Sequence, residues 1–198
     1  MISNKKIILA STSERRINLL KQLGVSNFEV VKPNFDEDKY KYEYNHSVSK
    51  KVVNFSYFKA NSILNETKQK DKIIISGDTE VFRSGKVLSK CKSKEQVKDY
   101  LLYLSGKKHY VFGGICVINF NGIVLKKLVK TEVYFDKIPK DEIHNDVLLN
   151  EGLGKAGGYA IQGIAGKFVR KIRGSYTNVV GLSTNHLYKI LIGIGFKN

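Results

Sequence analysis

The stretch from Ile7 to Arg16 reads Ile-Ile-Leu-Ala-Ser-Thr-Ser-Glu-Arg-Arg and joins an apolar run to a polar segment. The apolar run predicts a buried strand, and apolar residues then recur at helical spacing as far as Gly24. Ser13 is a favourable N-cap residue, and Glu14 suits the positive end of a helix dipole. The sequence therefore predicts a strand-to-helix junction here.

This junction places hydroxyl and guanidinium groups at one helix N-terminus. The groups belong to Ser11, Ser13, Arg15 and Arg16. Backbone N–H groups at a helix start, together with cations, form a favourable site for a phosphate chain. An ordinary capped helix with two solvated arginines is the alternative interpretation.

The composition indicates a globular protein with a basic surface. The chain has 198 residues, of which 42% are hydrophobic, so one domain, which can have two lobes, is expected. Its net charge of +16 is spread along the sequence and would attract nucleotides or nucleic acid alike. A bias toward Lys, Asn and Ile would explain the charge without any function.

The two cysteines, Cys91 and Cys116, lie far apart and in no metal-binding spacing, so both are expected to be reduced. The four histidines are isolated, which argues against a zinc site. The sequence has no 18-residue apolar run and no signal-peptide pattern at its start. We therefore expect a cytoplasmic protein with no membrane partner.

Two groups of carboxylates are candidates for metal binding or catalysis. Residues 36–38 read Asp-Glu-Asp in a loop, where a solvated segment is the alternative to a metal site. Asp78 follows the apolar run Ile73–Ile75, at a strand end where α/β folds bind ligands. In an extended chain Asp78 and Glu80 point to the same side, which suits a metal site or a general base.

Further elements alternate along the chain. A helix predicted over Val48–Lys68 carries Lys59 within an apolar stripe, where the side chain either extends to solvent or points into a polar site. The other predicted elements are a helix that starts at Ser93 and ends at Leu104, a hairpin of His109–Phe120 with Ile123–Asp136, a helix over Pro139–Leu149, a strand over Lys167–Ile172, a polar loop over Gly174–Asn178, and a helix over Thr184–Ile194. This pattern predicts an α/β fold with a mixed, twisted sheet and flanking helices.

The stretch Gly152–Gly157 matches GxGxxG but lacks the context of a dinucleotide site. No strand precedes it in a βαβ unit, and no apolar-periodic helix follows at once. It does provide a glycine-rich approach to Lys155, Tyr159 and Gln162, where the backbone could pass close to a ligand.

Four segments, in this order along the chain, resemble the signature blocks of the Maf family of nucleoside triphosphate pyrophosphatases. They are Ala10–Arg16, Gly77–Thr79, Lys155–Gly163 and Gly174–Leu182. The resemblance implies a fold like that of inosine-triphosphate pyrophosphatase, with two lobes around a central cleft. It also implies a homodimer that hydrolyses a nucleoside triphosphate to monophosphate and pyrophosphate with a divalent metal, Mg²⁺ or Mn²⁺.

The resemblance also implies roles for individual residues. Asp78 matches the proton acceptor, and Arg15, Thr79 and Gln162 match positions tied to base choice in the branch that prefers dTTP and UTP. Positions that line the family's cleft are matched by Glu37, Lys59, Lys90 and Lys155. With the residues singled out above, the expected substrate-binding set is Ser11, Ser13, Arg15, Arg16, Lys59, Thr79, Lys90, Lys155 and Gln162, and the expected metal ligands are Glu37, Asp78 and Glu80.

Some positions depart from the family pattern. Glu14 replaces a proline, Glu80 a valine and Gly113 a threonine, whereas Gly152 and Gly154 replace a proline and an aspartate. Because of these departures, two alternatives to a dTTP/UTP pyrophosphatase stay open. One is an enzyme of the same fold with another base preference. The other is a non-catalytic basic protein that binds nucleotides or nucleic acid, although the sequence shows no recognised nucleic-acid-binding motif.

Overall fold

A computed structural model describes residues 6–40, 47–67 and 72–196. Its strands are β1 (Lys6–Leu9), β2 (Phe28–Val30), β3 (Lys72–Arg83), β4 (Lys86–Leu88), β5 (Lys108–Ile118), β6 (Val124–Phe135) and β7 (Val169–Arg173). Its helices are α1 (Glu14–Gln22), α2 (Val48–Thr67), α3 (Lys94–Leu104), α4 (Lys140–Ile143), α5 (Asp146–Gly152), α6 (Tyr176–Val180) and α7 (Thr184–Gly193), with a 3₁₀ helix over Ile164–Phe168.

The strands form one mixed sheet in the order β2-β1-β3-β5-β6-β7, and β4 pairs with β3. Strand β1 runs parallel to both β2 and β3, whereas β4 is antiparallel to β3 and β7 is antiparallel to β6. The predicted α/β fold with a mixed sheet and flanking helices is therefore confirmed.

The chain divides into two compact units. The first consists of Met1–Asp78, Gly113–Val129 and Gly181–Asn198, and the second of Thr79–Phe112 and Lys130–Val180. The unit boundary thus falls within β3, immediately after Asp78.

In the first unit, α2 packs closely against the sheet. The buried core here consists of Ile8, Ala10, Ala60, Ile63, Ile74, Cys116 and Ile118. A Cβ atom at Gly114 of β5 would lie only 2.0 Å from the carbonyl oxygen of Val52 in α2, so only glycine allows this approach. Close packing of α2 brings Lys59, which lies on its buried side, toward the sheet.

In the second unit, the buried face of α3 consists of Val97, Tyr100, Leu101 and Leu104. His109 of β5 and Tyr159 are also buried, and His109 Nε2 lies 2.7 Å from the Tyr159 hydroxyl. The Phe135 ring packs edge-on against both of these rings. Burial lowers the pKa of His109 to about 3, so the imidazole is neutral in the folded protein.

Most of the predicted elements are confirmed, but two predictions are wrong. The helix predicted over Pro139–Leu149 is two helices, because Asn145 caps the second one and its side chain accepts from the backbone N–H of Val147 at 2.9 Å. The predicted polar loop at 174–178 contains the start of α6, since the Ser175 hydroxyl accepts from the backbone N–H of Asn178 at 3.2 Å and caps the helix.

Smaller differences concern element ends. The predicted strand over 167–172 begins later, at Val169, because a 3₁₀ helix precedes it. The predicted end of α2 at Lys68 lies outside the described residues. Among the described residues, no helix is both long and apolar enough to span a bilayer.

Candidate active site

At the junction between β1 and α1, the first turn of the helix lacks the side-chain cap that the sequence predicts. Ser13 occupies the N-cap position in an extended conformation, as predicted, but its side chain makes no capping hydrogen bond. Instead, the Ser11 hydroxyl accepts from the Ser13 backbone N–H at 3.3 Å. Ser11 is buried and Ser13 half-buried. The start of α1 thus presents hydroxyls and backbone N–H groups together.

Arg16 is fixed by contacts at both ends of its guanidinium. Its Nε donates to the carbonyl oxygen of Gly181 at 2.9 Å, and Nη1 donates to the Ser11 hydroxyl at 3.2 Å. A Cβ atom at Gly77 of β3 would lie 3.2 Å from Arg16 Nε, so the glycine makes room for the guanidinium beside the strand. Arg16 therefore lies next to the residue that precedes Asp78.

The two arginines of this junction lie in different electrostatic surroundings. Burial lowers the pKa of Arg16, and Asp78 and Glu37 oppose this effect because their negative charges favour the guanidinium cation. The pKa of Arg15 is lowered first by burial and then by the charge of Arg16. The carboxylates therefore act electrostatically on Arg16, and Arg16 in turn acts on Arg15.

Lys59 of α2 connects two carboxylates. Its Nζ lies 2.6 Å from Asp78 Oδ1 and 2.8 Å from Glu37 Oε1. The side chains of Lys59 and Asp78 are only 8% and 7% exposed, whereas that of Glu37 is 39% exposed. Burial alone would lower the pKa of Lys59, but Asp78 and Glu37 together outweigh burial and raise it. Of the two orientations considered for Lys59, the side chain adopts the one that points into a polar site.

We refer to Ser11, Arg16, Glu37, Lys59 and Asp78 as the Asp78 cluster. All five belong to the first unit and are joined by the hydrogen bonds, ion pairs and electrostatic couplings given above. The cluster offers a buried ammonium and a half-buried guanidinium beside a buried carboxylate, with the guanidinium in the first turn of α1. Such a combination can bind phosphate oxygens and hold a carboxylate that accepts a proton.

The predicted metal ligands are only partly brought together. Within 6–40, 47–67 and 72–196, no three His, Cys, Asp or Glu side chains lie in an arrangement that could hold a metal ion. Glu37 and Asp78 do converge, but on the Lys59 ammonium. Glu80 is buried in the second unit, two positions after Asp78 in β3.

The remaining predicted substrate-binding residues belong to the second unit. Lys90 is exposed and forms a backbone bridge to Ala156, the residue after Lys155. The Lys155 Nζ donates to the backbone carbonyl of Glu151. Thr79 is half-buried and Gln162 is exposed. The backbone thus brings Lys90 and Lys155 into neighbouring positions.

One residue with a clear structural role, Glu151, was not predicted from the sequence. Its carboxylate accepts from the backbone N–H groups of Ile164 and Ala165, at 3.0 and 3.4 Å. The only signal in the sequence is an acidic residue just before the glycine-rich stretch. The residues that it contacts lie thirteen and fourteen positions later, which no local pattern connects to it.

Comparison with known proteins assigns the chain to a family. Residues 6–194 match the family model described as Maf-like protein. The chain belongs to the Maf family. Curated relatives of this Maf-family chain include the dTTP/UTP pyrophosphatase of Clostridium botulinum strain Eklund 17B, 43% identical over 94% of this chain and 97% of that protein. The dTTP/UTP pyrophosphatase of Mesorhizobium japonicum is 39% identical over 98% of this chain and 93% of that protein.

Solved structures were also compared with this Maf-family chain. They include the nucleoside-triphosphatase, or dITP/XTP pyrophosphatase, of Mycobacterium abscessus. That protein is 14% identical, with a TM-score of 0.46 over 96% of this chain and 94% of that chain.

Proposed function

We propose that this chain hydrolyses dTTP and UTP to the nucleoside monophosphate and pyrophosphate. The observation that carries the proposal is the Asp78 cluster, in which the buried Asp78 carboxylate lies beside the buried Lys59 ammonium of α2 and is coupled electrostatically to Arg16 of α1. Two of the curated relatives, at 39% and 43% identity over nearly the whole chain, are named dTTP/UTP pyrophosphatases.

In this proposal the start of α1 binds the phosphate chain. The Ser11 and Ser13 hydroxyls and the backbone N–H groups of the first turn donate hydrogen bonds to phosphate oxygens. Arg15 and Arg16 neutralise the phosphate charge, and the fixed position of Arg16 lowers the cost of ordering it when substrate binds. Lys59 adds a third cation within the first unit.

Asp78 is the proposed proton acceptor. It takes a proton from the water molecule that attacks the anhydride between the α and β phosphates, and pyrophosphate leaves as that bond breaks. The Lys59 ammonium, at 2.6 Å, holds Asp78 Oδ1 in place. A carboxylate fixed in this way can accept a proton without first reorienting its side chain.

A divalent cation is part of the proposal, and Glu37 and Asp78 fit it chemically. Carboxylate oxygens are the ligands that Mg²⁺ and Mn²⁺ prefer, and these two side chains converge on one point. That point is occupied by the Lys59 ammonium, so a metal ion would have to bind beside this ammonium or replace it. A bound metal ion would stabilise the negative charge that develops on the phosphates. Glu80 is the proposed additional ligand.

The second unit is proposed to contribute to base and phosphate recognition. Thr79 and Gln162, together with Arg15, are assigned to the choice of base, and Lys90 and Lys155 to the phosphates. Lys90 and Lys155 lie in neighbouring positions, and Gln162 is exposed, as a residue that contacts substrate should be.

We also propose a cytoplasmic homodimer. Both Cys91 and Cys116 are free and buried, which supports a reducing compartment. The homodimer rests on the family resemblance.

The test is a panel of canonical and modified nucleoside triphosphates, with Mg²⁺ or Mn²⁺, in which release of pyrophosphate is measured. The proposal predicts activity that is confined to dTTP and UTP. Activity on purine triphosphates instead would keep the reaction but refute the proposed base preference. Binding of nucleotide or RNA without release of pyrophosphate would refute the proposed reaction.

A further inference from the structure

A single residue of the second unit, Glu151, makes contacts at both ends of the glycine-rich segment Lys155–Gly163. At one end the backbone carbonyl of Glu151 accepts from the Lys155 ammonium. At the other end the carboxylate accepts from the backbone N–H groups of Ile164 and Ala165, at 3.0 and 3.4 Å. The segment is therefore closed by one residue that precedes it in sequence.

The approach of the carboxylate depends on Gly163. A Cβ atom at this position would lie 1.8 Å from Glu151 Oε2, so any other residue would displace the carboxylate. Gly163 is also the N-cap of the 3₁₀ helix over Ile164–Phe168, and it makes no side-chain cap. The Glu151 carboxylate caps the helix instead, and its negative charge interacts favourably with the backbone N–H groups at the helix start.

We propose that Glu151 is a positioning residue that sets the base preference of this enzyme. Gln162 immediately precedes Gly163, and its side chain is exposed. Glu151 holds the backbone two residues after Gln162, through the Ile164 N–H. The Gly163 N–H also donates to the Ala160 carbonyl at 3.1 Å, a hydrogen bond that spans Ile161 and Gln162. This inference rests on the proposed function, in which Gln162 contacts the base.

The chemistry requires a carboxylate here. The two oxygens accept from two successive backbone N–H groups, whereas a glutamine amide offers only one acceptor oxygen. Glu151→Gln should therefore release one N–H group and loosen the turn at Gln162 without changing the size of the side chain. The Lys155 contact uses the backbone carbonyl of residue 151 and is retained.

The experiment compares Glu151→Gln and Glu151→Ala with the wild type, and Glu142→Gln serves as the matched control. Glu142 contacts the same 3₁₀ helix, but at its far end, through Lys167 at 2.6 Å. For each protein we would measure kcat and KM with dTTP, the residual rate of pyrophosphate release from dCTP at high enzyme concentration, and the melting temperature.

We expect Glu151→Gln to raise KM for dTTP by about tenfold, the usual scale for one lost hydrogen bond, with kcat within about twofold. The preference for dTTP over dCTP should fall by a similar factor, fall further in Glu151→Ala, and stay unchanged in Glu142→Gln. If Glu151→Gln lowers kcat for both nucleotides equally, or leaves the preference unchanged, the inference is wrong.

Failure of the proposed function would be recognised separately. If the wild type releases no pyrophosphate, equilibrium binding of dTTP and dCTP replaces the kinetic measurement. Discrimination between the two nucleotides that is weakened in Glu151→Gln but not in Glu142→Gln would support the role of Glu151. Equal binding of both nucleotides by the wild type would overturn it.

Discussion

Replacement of Lys59 by methionine tests the electrostatics of the Asp78 cluster directly. The substitution keeps an unbranched side chain, one atom shorter than lysine, but removes the cation between Asp78 and Glu37, which lie 2.6 and 2.8 Å from the lysine Nζ. Loss of one partner of a buried ion pair typically costs about 3–5 kcal/mol, because the remaining charge stays buried without compensation. Since Glu37 is 39% exposed, most of the expected loss comes from Asp78, whose side chain is 7% exposed.

The pH dependence of this loss follows from the raised pKa of Lys59. A lysine whose pKa is raised on folding binds its proton more tightly in the folded state than in the unfolded state. Its contribution to stability is therefore fully present below the ordinary value of 10.5 and is lost as the pH rises through the higher folded-state pKa. The difference in stability between wild type and Lys59→Met should be constant from pH 7 to 9 and shrink at higher pH.

Urea denaturation at a series of pH values measures both effects. Lys72→Met is the matched control, because Lys72 lies in β3 of the same unit and pairs with Glu29 at 3.3 Å, where the Glu29 side chain is 56% exposed. Because the Glu29 carboxylate is largely in contact with water, we expect this pair to contribute only about 0–1 kcal/mol. If Lys59→Met shifts the midpoint no more than Lys72→Met does, the buried ion pair does not hold the cluster together.

Two further predictions concern other buried groups. Burial raises the pKa of Cys91 to about 11 and that of Cys116 to about 12. Neither thiol should therefore react with iodoacetamide at pH 8 until the protein is unfolded, and rapid labelling of the native protein would contradict this prediction. The pKa of His109 falls to about 3 on folding, so below pH 6.5 the unfolded chain binds a proton that the folded chain does not. The free energy of unfolding should therefore fall as the pH drops from 6.5, by up to roughly 1.4 kcal/mol per pH unit. Urea melts at pH 5 and pH 7 should show this dependence in the wild type and a weaker one in His109→Gln, and equal slopes would refute it.

The local elements of the fold could be predicted because they depend on neighbouring residues. The apolar run before Ser11 and the helical spacing after Ser13 predict β1 and α1, and both are present. Asn121 and Gly122 predict the β5–β6 turn, where Gly122 adopts a positive φ of 79° and the Asn119 side chain accepts from the backbone N–H of Asn121 at 2.9 Å. Ser175 shows the limit, because the segment has the polar composition of a loop, whereas the Ser175 hydroxyl accepts from the Asn178 N–H and starts a helix there.

The composition of the site could be predicted, but its internal contacts could not. The sequence singles out Lys59, Glu37 and Asp78 separately, and nothing in their spacing shows that one ammonium joins the two carboxylates. The orientation of Lys59 depends on how closely α2 approaches β5, which in turn depends on Gly114. Contacts of this kind arise from tertiary packing, as does the contact of Glu151 with a turn thirteen residues later.

The proposed role of Asp78 as proton acceptor is tested by the rate of pyrophosphate release from dTTP, measured for Asp78→Asn and for the wild type. We expect kcat to fall by about 10²–10⁴, the range that a general base contributes, while the folded Asp78→Asn protein still binds dTTP. Circular dichroism would establish that the variant is folded. If Asp78→Asn retains kcat within tenfold of the wild type, Asp78 is not the proton acceptor.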